Sequence, residues 1–205
     1  DHGVIQGWGE PYYRNTHLDG LTTDLYPFVF SMNCETGRFN AIVESFAERF
    51  HRLPHGALGL IAATENSFSF VNDAFTWGVF DALWPAFDPG YGEPGEPLLR
   101  TAFANVSGKY YLEASNWPYN PYDKDVTYHL FHHHGDAFMT LYSEIPESLA
   151  VVHDDICFLG ASSFAVRADS GAVVALTVAG EIIGVAEANG MLQDISIIPQ
   201  SEPGE

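Results

Sequence analysis

Two short apolar runs, residues 27–33 and 57–63, constrain this chain more than anything else in it. Neither approaches the roughly 20 apolar residues that a membrane-spanning helix needs. The continuous apolar character of 57–63 suits a strand whose two faces are both covered, and 27–33 reads as a buried strand beside it. Between the runs, Ile42, Val43, Phe46, Ala47, Phe50 and Leu53 recur at helical spacing over 41–53, and Pro54 closes that helix. Strand, helix, strand in this order predicts a parallel pair joined by a right-handed crossover. The expected fold class is α/β with a parallel sheet between layers of helix.

The rest of the chain is read against that unit. Residues 4–26 are polar, aromatic and turn-rich and predict a long loop lying over the sheet. A helix is expected from Phe70 to Trp84, with Val71, Ala74, Phe75, Gly78, Val79, Ala82 and Leu83 on one stripe. Phe70, Trp77, Phe80 and Trp84 lie off that stripe, so cover on two sides is expected. Loop follows over 88–97, then a helix over 98–112 weakened by Gly108, loop over 115–125, and a helix over 126–134 that stops at Gly135-Asp136. The character changes near Pro146. Short β runs at 151–152, 164–166, 172–178 and 181–186 are punctuated by Gly, Asn, Asp and Ser, the mark of a β-sandwich. An immunoglobulin-like sandwich takes about seven strands in roughly 100 residues. The stretch 147–205 is too short for that, so the sandwich is expected to be partial, following an α/β domain over 1–146.

Charge narrows the partners. Eight Lys and Arg stand against 27 Asp and Glu, a net charge of -19. Nucleic acid and anionic membranes both need basic surface, so neither is expected as a partner. The balance suits a secreted or cell-surface setting, salty or rich in calcium. The two cysteines, Cys34 and Cys157, make no disulfide framework, and they fall in different domains, so no bridge between them is expected. The chain opens at Asp1-His2-Gly3, directly on a candidate functional residue. A mature or cut piece of a longer chain is therefore expected.

Cys34 ends the first apolar run and precedes a turn containing Gly37. Chemistry in α/β sheets sits just past the carboxyl ends of the strands. A cysteine there faces a crevice, whereas most free cysteines simply fill a core. Thiolate is the reactive form, and a neighbouring imidazole favours it. His2, followed by the small Gly3, supplies that imidazole, and the Gly3 and Cys34 N–H groups can form an oxyanion hole. His129, His132, His133 and His134 invite a metal reading, with 129 and 133 one helical turn apart. They match no H-E-x-x-H pattern, and histidines closing a helix also complement its dipole. Acidic residues can hold calcium through oxygen ligands. Asp19, Asp24, Glu65, Asp73, Asp81 and Asp88 are scattered and match no EF-hand loop, so structural calcium has no assigned place. Asn105-Val106-Ser107 is a glycosylation sequon inside a predicted helix, and the Gly-rich 89–95 lacks the Lys-Ser/Thr of a phosphate loop.

These stretches resemble the gingipain family of cysteine peptidases, a caspase-like group. His2-Gly3 resembles its catalytic His-Gly, and Phe28 to Phe39, with Ser31-Met32-Asn33-Cys34-Glu35-Thr36-Gly37, its catalytic cysteine segment. Ser45 to Phe50, Gly59 to Thr64 and Asn66-Ser67-Phe68 follow in the family's order, and Tyr128 to Pro146 resembles the end of its catalytic domain. Ser163 to Gly190 resembles the immunoglobulin-like domain that follows. The resemblance implies a cysteine endopeptidase acting on protein or peptide chains without a cofactor. His2 would be the general base, Cys34 the nucleophile, and the Gly3 and Cys34 amides the oxyanion hole, with an acyl-enzyme intermediate. Family members carry further strands, and often an assisting acidic residue, before the histidine. This chain has neither, which implies a caspase-like sheet lacking its N-terminal strands: either a fragment, or one chain of a cleaved enzyme whose second chain supplies them. Substrate side-chain preference would lie with Asp73, between pocket walls Phe68 and Ser69. Two rivals stand beside this reading: an inert binding module, and a metal-dependent hydrolase using the histidine cluster.

Overall fold

The computed structural model describes residues 2–88, 97–116, 121–142, 145 and 147–204. The loops expected over 88–97 and 115–125 fall partly, and Pro146 wholly, outside them. The chain forms two compact units, Asp1–Glu144 and Ile145–Glu205.

In the first unit the two apolar runs form β4 (Phe28–Ser31) and β5 (Gly59–Ala63), which pair in parallel, Phe28 opposite Gly59 and Ser31 opposite Ala62. Every residue of β5 is buried. Its side chains alternate between two cores, as a strand covered on both faces must. Ile61 and Ala63 join Val71, Phe75, Val79, Leu83, Ala104, Leu112 and Phe131 on one side. Leu60 and Ala62 join Leu18, Phe46, Ala47 and Phe50 on the other. The helices are α2 (Phe46–Arg52) on the second face and α3 (Val71–Leu83) and α4 (Thr101–Ala114) on the first. The expected layered α/β arrangement is therefore present.

The helix between the strands is shorter than its periodicity suggests. Ile42 and Val43 are exposed, at 106% and 46%, and residues 41–43 are bends, with 44 and 45 still outside the helix. Helix α2 starts where Ser45 caps it. The Ser45 hydroxyl accepts from the Glu48 N–H at 3.3 Å, and the Glu48 carboxylate accepts from the Ser45 N–H at 2.9 Å. This reciprocal cap is worth about 1 kcal/mol, and it overrides the two apolar residues upstream. The loop expected over 4–26 is in part a small antiparallel meander, β1 (Gly3–Val4), β2 (Gly7–Trp8) and β3 (Tyr13–Arg14), running into the single turn α1 (Asn15–Leu18). Trp8 and Tyr13 pack against Phe46, with ring centroids 5.5 and 6.1 Å away.

The helix expected over 126–134 is the largest departure. Helix α5 (Lys124–Leu130) ends at Leu130, and Phe131–Gly135 form β6, antiparallel to β5. The buried N–H and C=O groups on the second side of β5 need partners, and this segment provides them. Leu130 and Phe131 are both buried, so the local pattern does not mark where helix gives way to strand. The Phe131 ring stacks on Phe75 at 4.5 Å, a contact worth about 1 kcal/mol beyond its buried area. His129 and His133 therefore share no helical face. His132 and His134 approach Phe39, while His133 turns the other way, stacking on Phe28 and sharing a hydrogen bond with Thr101 Oγ1 at 2.9 Å.

Helices α3 and α4 cross at Gly78 and Gly108, which explains the glycine in the middle of α4. A Cβ at Gly78 would lie 2.2 Å from Tyr111 Cβ and 3.0 Å from Gly108 Cα. The expected second side of α3 is covered in part: Phe80 meets Phe30 at 5.2 Å, while Trp77 and Phe70 remain 46% and 44% exposed. Asn105 is buried, so the sequon is inaccessible in the fold.

The second unit carries two sheets. β9 (Val173–Val178) and β10 (Glu181–Glu187) form a hairpin, and β11 (Gln193–Ser196), β8 (Ser163–Arg167) and β7 (Val152–His153) form the other, all antiparallel. Val166, Ala168, Ala188, Ile195 and Ile197 are its buried apolar residues. Strand β11 was not expected, because Ile195 is its one apolar residue. Five strands among the described residues make the partial sandwich. A cavity of about 770 Å³ opens within it, lined by Phe164, Leu176, Ile183 and Ile197 among others.

Two outcomes follow from this packing. Gly78→Ala should lower stability by about 1–3 kcal/mol, read as a lower urea midpoint, despite the roughly 1 kcal/mol that alanine gains in helix propensity. An unchanged midpoint would show that the helices can separate freely. The second outcome concerns pH. Burial, then His132 and His133, push the His134 imidazole down to about 4. Between the ordinary value of about 6.5 and that value, the unfolded chain binds a proton that the folded chain refuses. This contribution is fully present above about pH 6.5 and is lost as pH falls towards 4, by at most about 1.4 kcal/mol per pH unit. Denaturant midpoints at pH 7, 5.5 and 4.5 should therefore fall less steeply in His134→Asn than in the parent.

Candidate active site

Cys34 lies three positions beyond Ser31, the last residue of β4, and the polar residues Ser31 and Asn33 interrupt the apolar run there. Ser31, Asn33 and Thr36 are buried, at 1%, 6% and 0% exposed. Their burial is tolerable because they satisfy one another. The Ser31 and Thr36 hydroxyls stand 2.9 Å apart, and each donates to Asn33 Oδ1 at 3.1 Å. Trp8 Nε1–H donates to Ser31 Oγ at 2.9 Å, tying the N-terminal meander to the same cluster. The turn itself is tight. The Thr36 N–H donates to the Cys34 carbonyl at 2.7 Å, and Glu35 holds a left-handed backbone, φ 57°. A non-glycine residue there is disfavoured and persists only where its surroundings hold it. The Glu35 N–H donates to the Glu65 carbonyl at 3.1 Å, the Gly37 N–H to the Ala63 carbonyl at 2.8 Å, and Arg38 pairs with the Glu35 carboxylate at 2.8 Å and that of Glu65 at 3.3 Å.

The N-terminal His-Gly reaches this turn through its glycine. A Cβ at Gly3 would fall 2.0 Å from the Cys34 carbonyl oxygen and 2.6 Å from Asn33 Oδ1, so the backbone of β1 lies directly on the cysteine's peptide. The Gly9 N–H donates to the His2 carbonyl at 2.7 Å, and the Phe46 N–H to the Ile5 carbonyl at 2.7 Å, fixing the hairpin to the start of α2. The His2 residue is exposed and Cys34 half-buried. Gly3, next to His2 in the chain, is thus brought against the Cys34 backbone by the meander that replaced the expected loop.

The loop after β5 supplies neighbours that sequence reasoning missed. The Ser67 N–H donates to the Cys34 sulfur at 3.3 Å, and Ser67 Oγ lies 3.7 Å from it. The thiol in turn points at the Ser67 carbonyl, 3.6 Å away. Asn72, on the first turn of α3, donates through Nδ2 to Ser67 Oγ at 2.8 Å. The available signal was position: Ser67 follows a parallel strand at its carboxyl end, as Cys34 does.

The expected substrate-side residues lie on this same loop and helix start. Phe68 packs on the first core, while Ser69 and Asp73 are exposed. Among the scattered acids, Asp19 pairs with Arg49, Asp24 lies 3.6 Å from His55, and Asp88 accepts from Tyr111. Among the described residues no three His, Cys, Asp or Glu side chains gather as metal ligands would. Both cysteines are free thiols, Cys157 exposed in the second unit. The cavity of that unit is walled mainly by apolar side chains and contains neither His2 nor Cys34. No helix among the described residues is long and apolar enough to cross a membrane.

Comparison with known proteins bears on the family and the fold. The model of peptidase family C25 matches residues 1–142. Gingipain R2 of Porphyromonas gingivalis strain W83 is 26% identical over 200 residues, covering 90% of this chain and 25% of the relative. Gingipain R2 of a second strain is 25% identical over the same length. The crystal structure of the Arg-specific cysteine proteinase gingipain R superposes with a TM-score of 0.72 at 20% identity, covering 97% of this chain and 45% of that one. The complex of the P. gingivalis RgpB pro- and mature domains gives 0.73 at 21% identity, covering 98% and 47%. The chain thus spans about a quarter of its curated relatives, 25% of each. The likeness in fold bears out the reading of an α/β caspase-like part followed by a partial immunoglobulin-like sandwich. By the match over its first 142 residues, the chain belongs to peptidase family C25, the gingipain-like cysteine peptidases.

Proposed function

We propose that this chain carries the nucleophile and base of a cysteine endopeptidase, with Cys34 and His2 as the pair. One observation supports the reading: a Cβ on Gly3 would fall 2.0 Å from the Cys34 carbonyl oxygen, so the residue next to His2 in the chain lies against the cysteine turn. His2 takes the proton from Cys34 Sγ, and the sulfur attacks the carbonyl carbon of the scissile peptide. The carbonyl oxygen gains the negative charge and is met by the Gly3 and Cys34 N–H groups. His2 returns its proton to the departing amine, leaving a thioester on Cys34. Water, deprotonated by the same imidazole, attacks the thioester and releases the acid and the thiol. No cofactor enters these steps. The first unit is the catalytic domain, and a protein or peptide chain is the substrate, its side chain lying beside Phe68, Ser69 and Asp73. The setting is secreted or at the cell surface, which the net charge of -19 supports.

A second reading has support from the sheet. β4 is an edge strand in the order β4-β5-β6, and a long unprotected edge is a pairing surface. Further strands, from another segment or a second chain, would pair there. Without them the chain would act as a binding module rather than an enzyme.

Labelling and hydrolysis separate the two. Iodoacetamide at pH 7 should modify Cys34 faster than a model thiol, even though Cys157 is the more exposed cysteine. A panel of peptides varied at the residue before the cleaved bond should be hydrolysed by the parent and not by Cys34→Ala. His2→Ala should slow hydrolysis roughly 10²- to 10⁴-fold. Labelling of Cys34 no faster than the model thiol would overturn its role as nucleophile.

A further inference from the structure

We propose that Ser67, held by Asn72, is a positioning residue that holds the Cys34 sulfur and stabilises it as its proton leaves. The inference rests on Cys34 being the nucleophile. Three groups of one residue face the sulfur. The Ser67 N–H donates to it at 3.3 Å, its hydroxyl stands 3.7 Å away, and its carbonyl accepts the thiol proton at 3.6 Å. The carbonyl serves the neutral thiol only. Once the proton passes to His2, a negative sulfur meets the two donors and is repelled by the carbonyl, so the donors gain importance as charge develops.

Asn72 decides whether the hydroxyl is one of those donors. Its Nδ2–H donates to Ser67 Oγ at 2.8 Å, occupying a lone pair and leaving the hydroxyl proton free to turn to the sulfur. Asn72 is itself fixed. It is 9% exposed, its N–H donates to the Phe68 carbonyl at 2.9 Å, and its carbonyl accepts from Thr76 Oγ1 at 2.7 Å. Its Oδ1 is buried without a partner. An asparagine kept in a helix with half its amide unsatisfied incurs a desolvation cost. That cost is offset if the other half serves the neighbouring loop. The arrangement runs from a rigid helix, through Asn72 and Ser67, to the reacting sulfur. Phe70, between the two, has a left-handed backbone, φ 69°, which makes the sharp entry from the Ser67 loop into α3.

The test follows the rate at which iodoacetamide modifies Cys34, read by peptide mass so that Cys157 does not interfere, alongside peptide hydrolysis. Ser67→Ala keeps the backbone N–H and should label about fivefold more slowly at pH 7, with Ser67→Thr returning to within about twofold of the parent, the scale of one hydrogen bond. Asn72→Ala should fall between the parent and Ser67→Ala. In hydrolysis, Ser67→Ala should lower kcat and leave KM unchanged. Thermal midpoints of all variants report whether they fold. A folded Ser67→Ala that labels at the parent's rate overturns the proposal, as does a Ser67→Thr no faster than Ser67→Ala. If the parent hydrolyses no peptide, the endopeptidase reading falls, while the labelling rates still decide the role of Ser67.

Discussion

Everything in the first unit depends on a five-residue strand whose backbone is wholly removed from water. Gly59–Ala63 must pair on both edges and be covered on both faces. An unpaired buried peptide group would cost about as much as a lost hydrogen bond, and five residues carry several. That demand recruits β4 on one side and β6 on the other, and it brings α2 to one face and α3 and α4 to the other. The carboxyl ends of β4 and β5 then lie side by side. The cysteine turn and the Ser67 loop meet there because the parallel pairing leaves them nowhere else to go.

The cysteine is held by polar groups rather than by burial of its own side chain. Ser31, Asn33 and Thr36 form a closed set of hydrogen bonds beneath it, and Trp8 reaches in from the meander. A polar cluster of this kind is stabilising only when complete, so loss of any one member leaves the others unsatisfied in an apolar setting. Above the cluster, the ion pairs of Arg38 hold Glu35 in a backbone conformation it would not otherwise adopt. Together they hold the backbone of the turn that carries the sulfur.

How much of this was legible depended on which force decided each segment. The parallel pair and the stripe of α3 were readable, because burial alone fixes them and burial writes itself into spacing. The start of α2 was misread. Ile42 and Val43 continue the helical period, but the Ser45–Glu48 cap, visible as S-x-x-E, sets the boundary. The segment 126–134 was misread for a different reason. Its strand half answers a need of β5, more than sixty residues away, and no local pattern records that need. The Cys34 position was readable from strand-end logic. Ser67 was not singled out, because its contact is with a sulfur 33 positions upstream. Its placement at an equivalent strand end was the one available hint.

Gly3 has a consequence for assembly. The Cys34 carbonyl sits 2.0 Å from where any Cβ at that position would be. If the hairpin slid by one residue in either direction, the side chain of His2 or Val4 would collide with that oxygen. The missing side chain therefore works as a keyway: the N-terminal hairpin can seat in only one register, and that register lays the Gly3 backbone against the cysteine turn. Seating the hairpin and backing the cysteine turn are one event, so a chain whose first residues are loose lacks that support altogether rather than holding it in a weakened form.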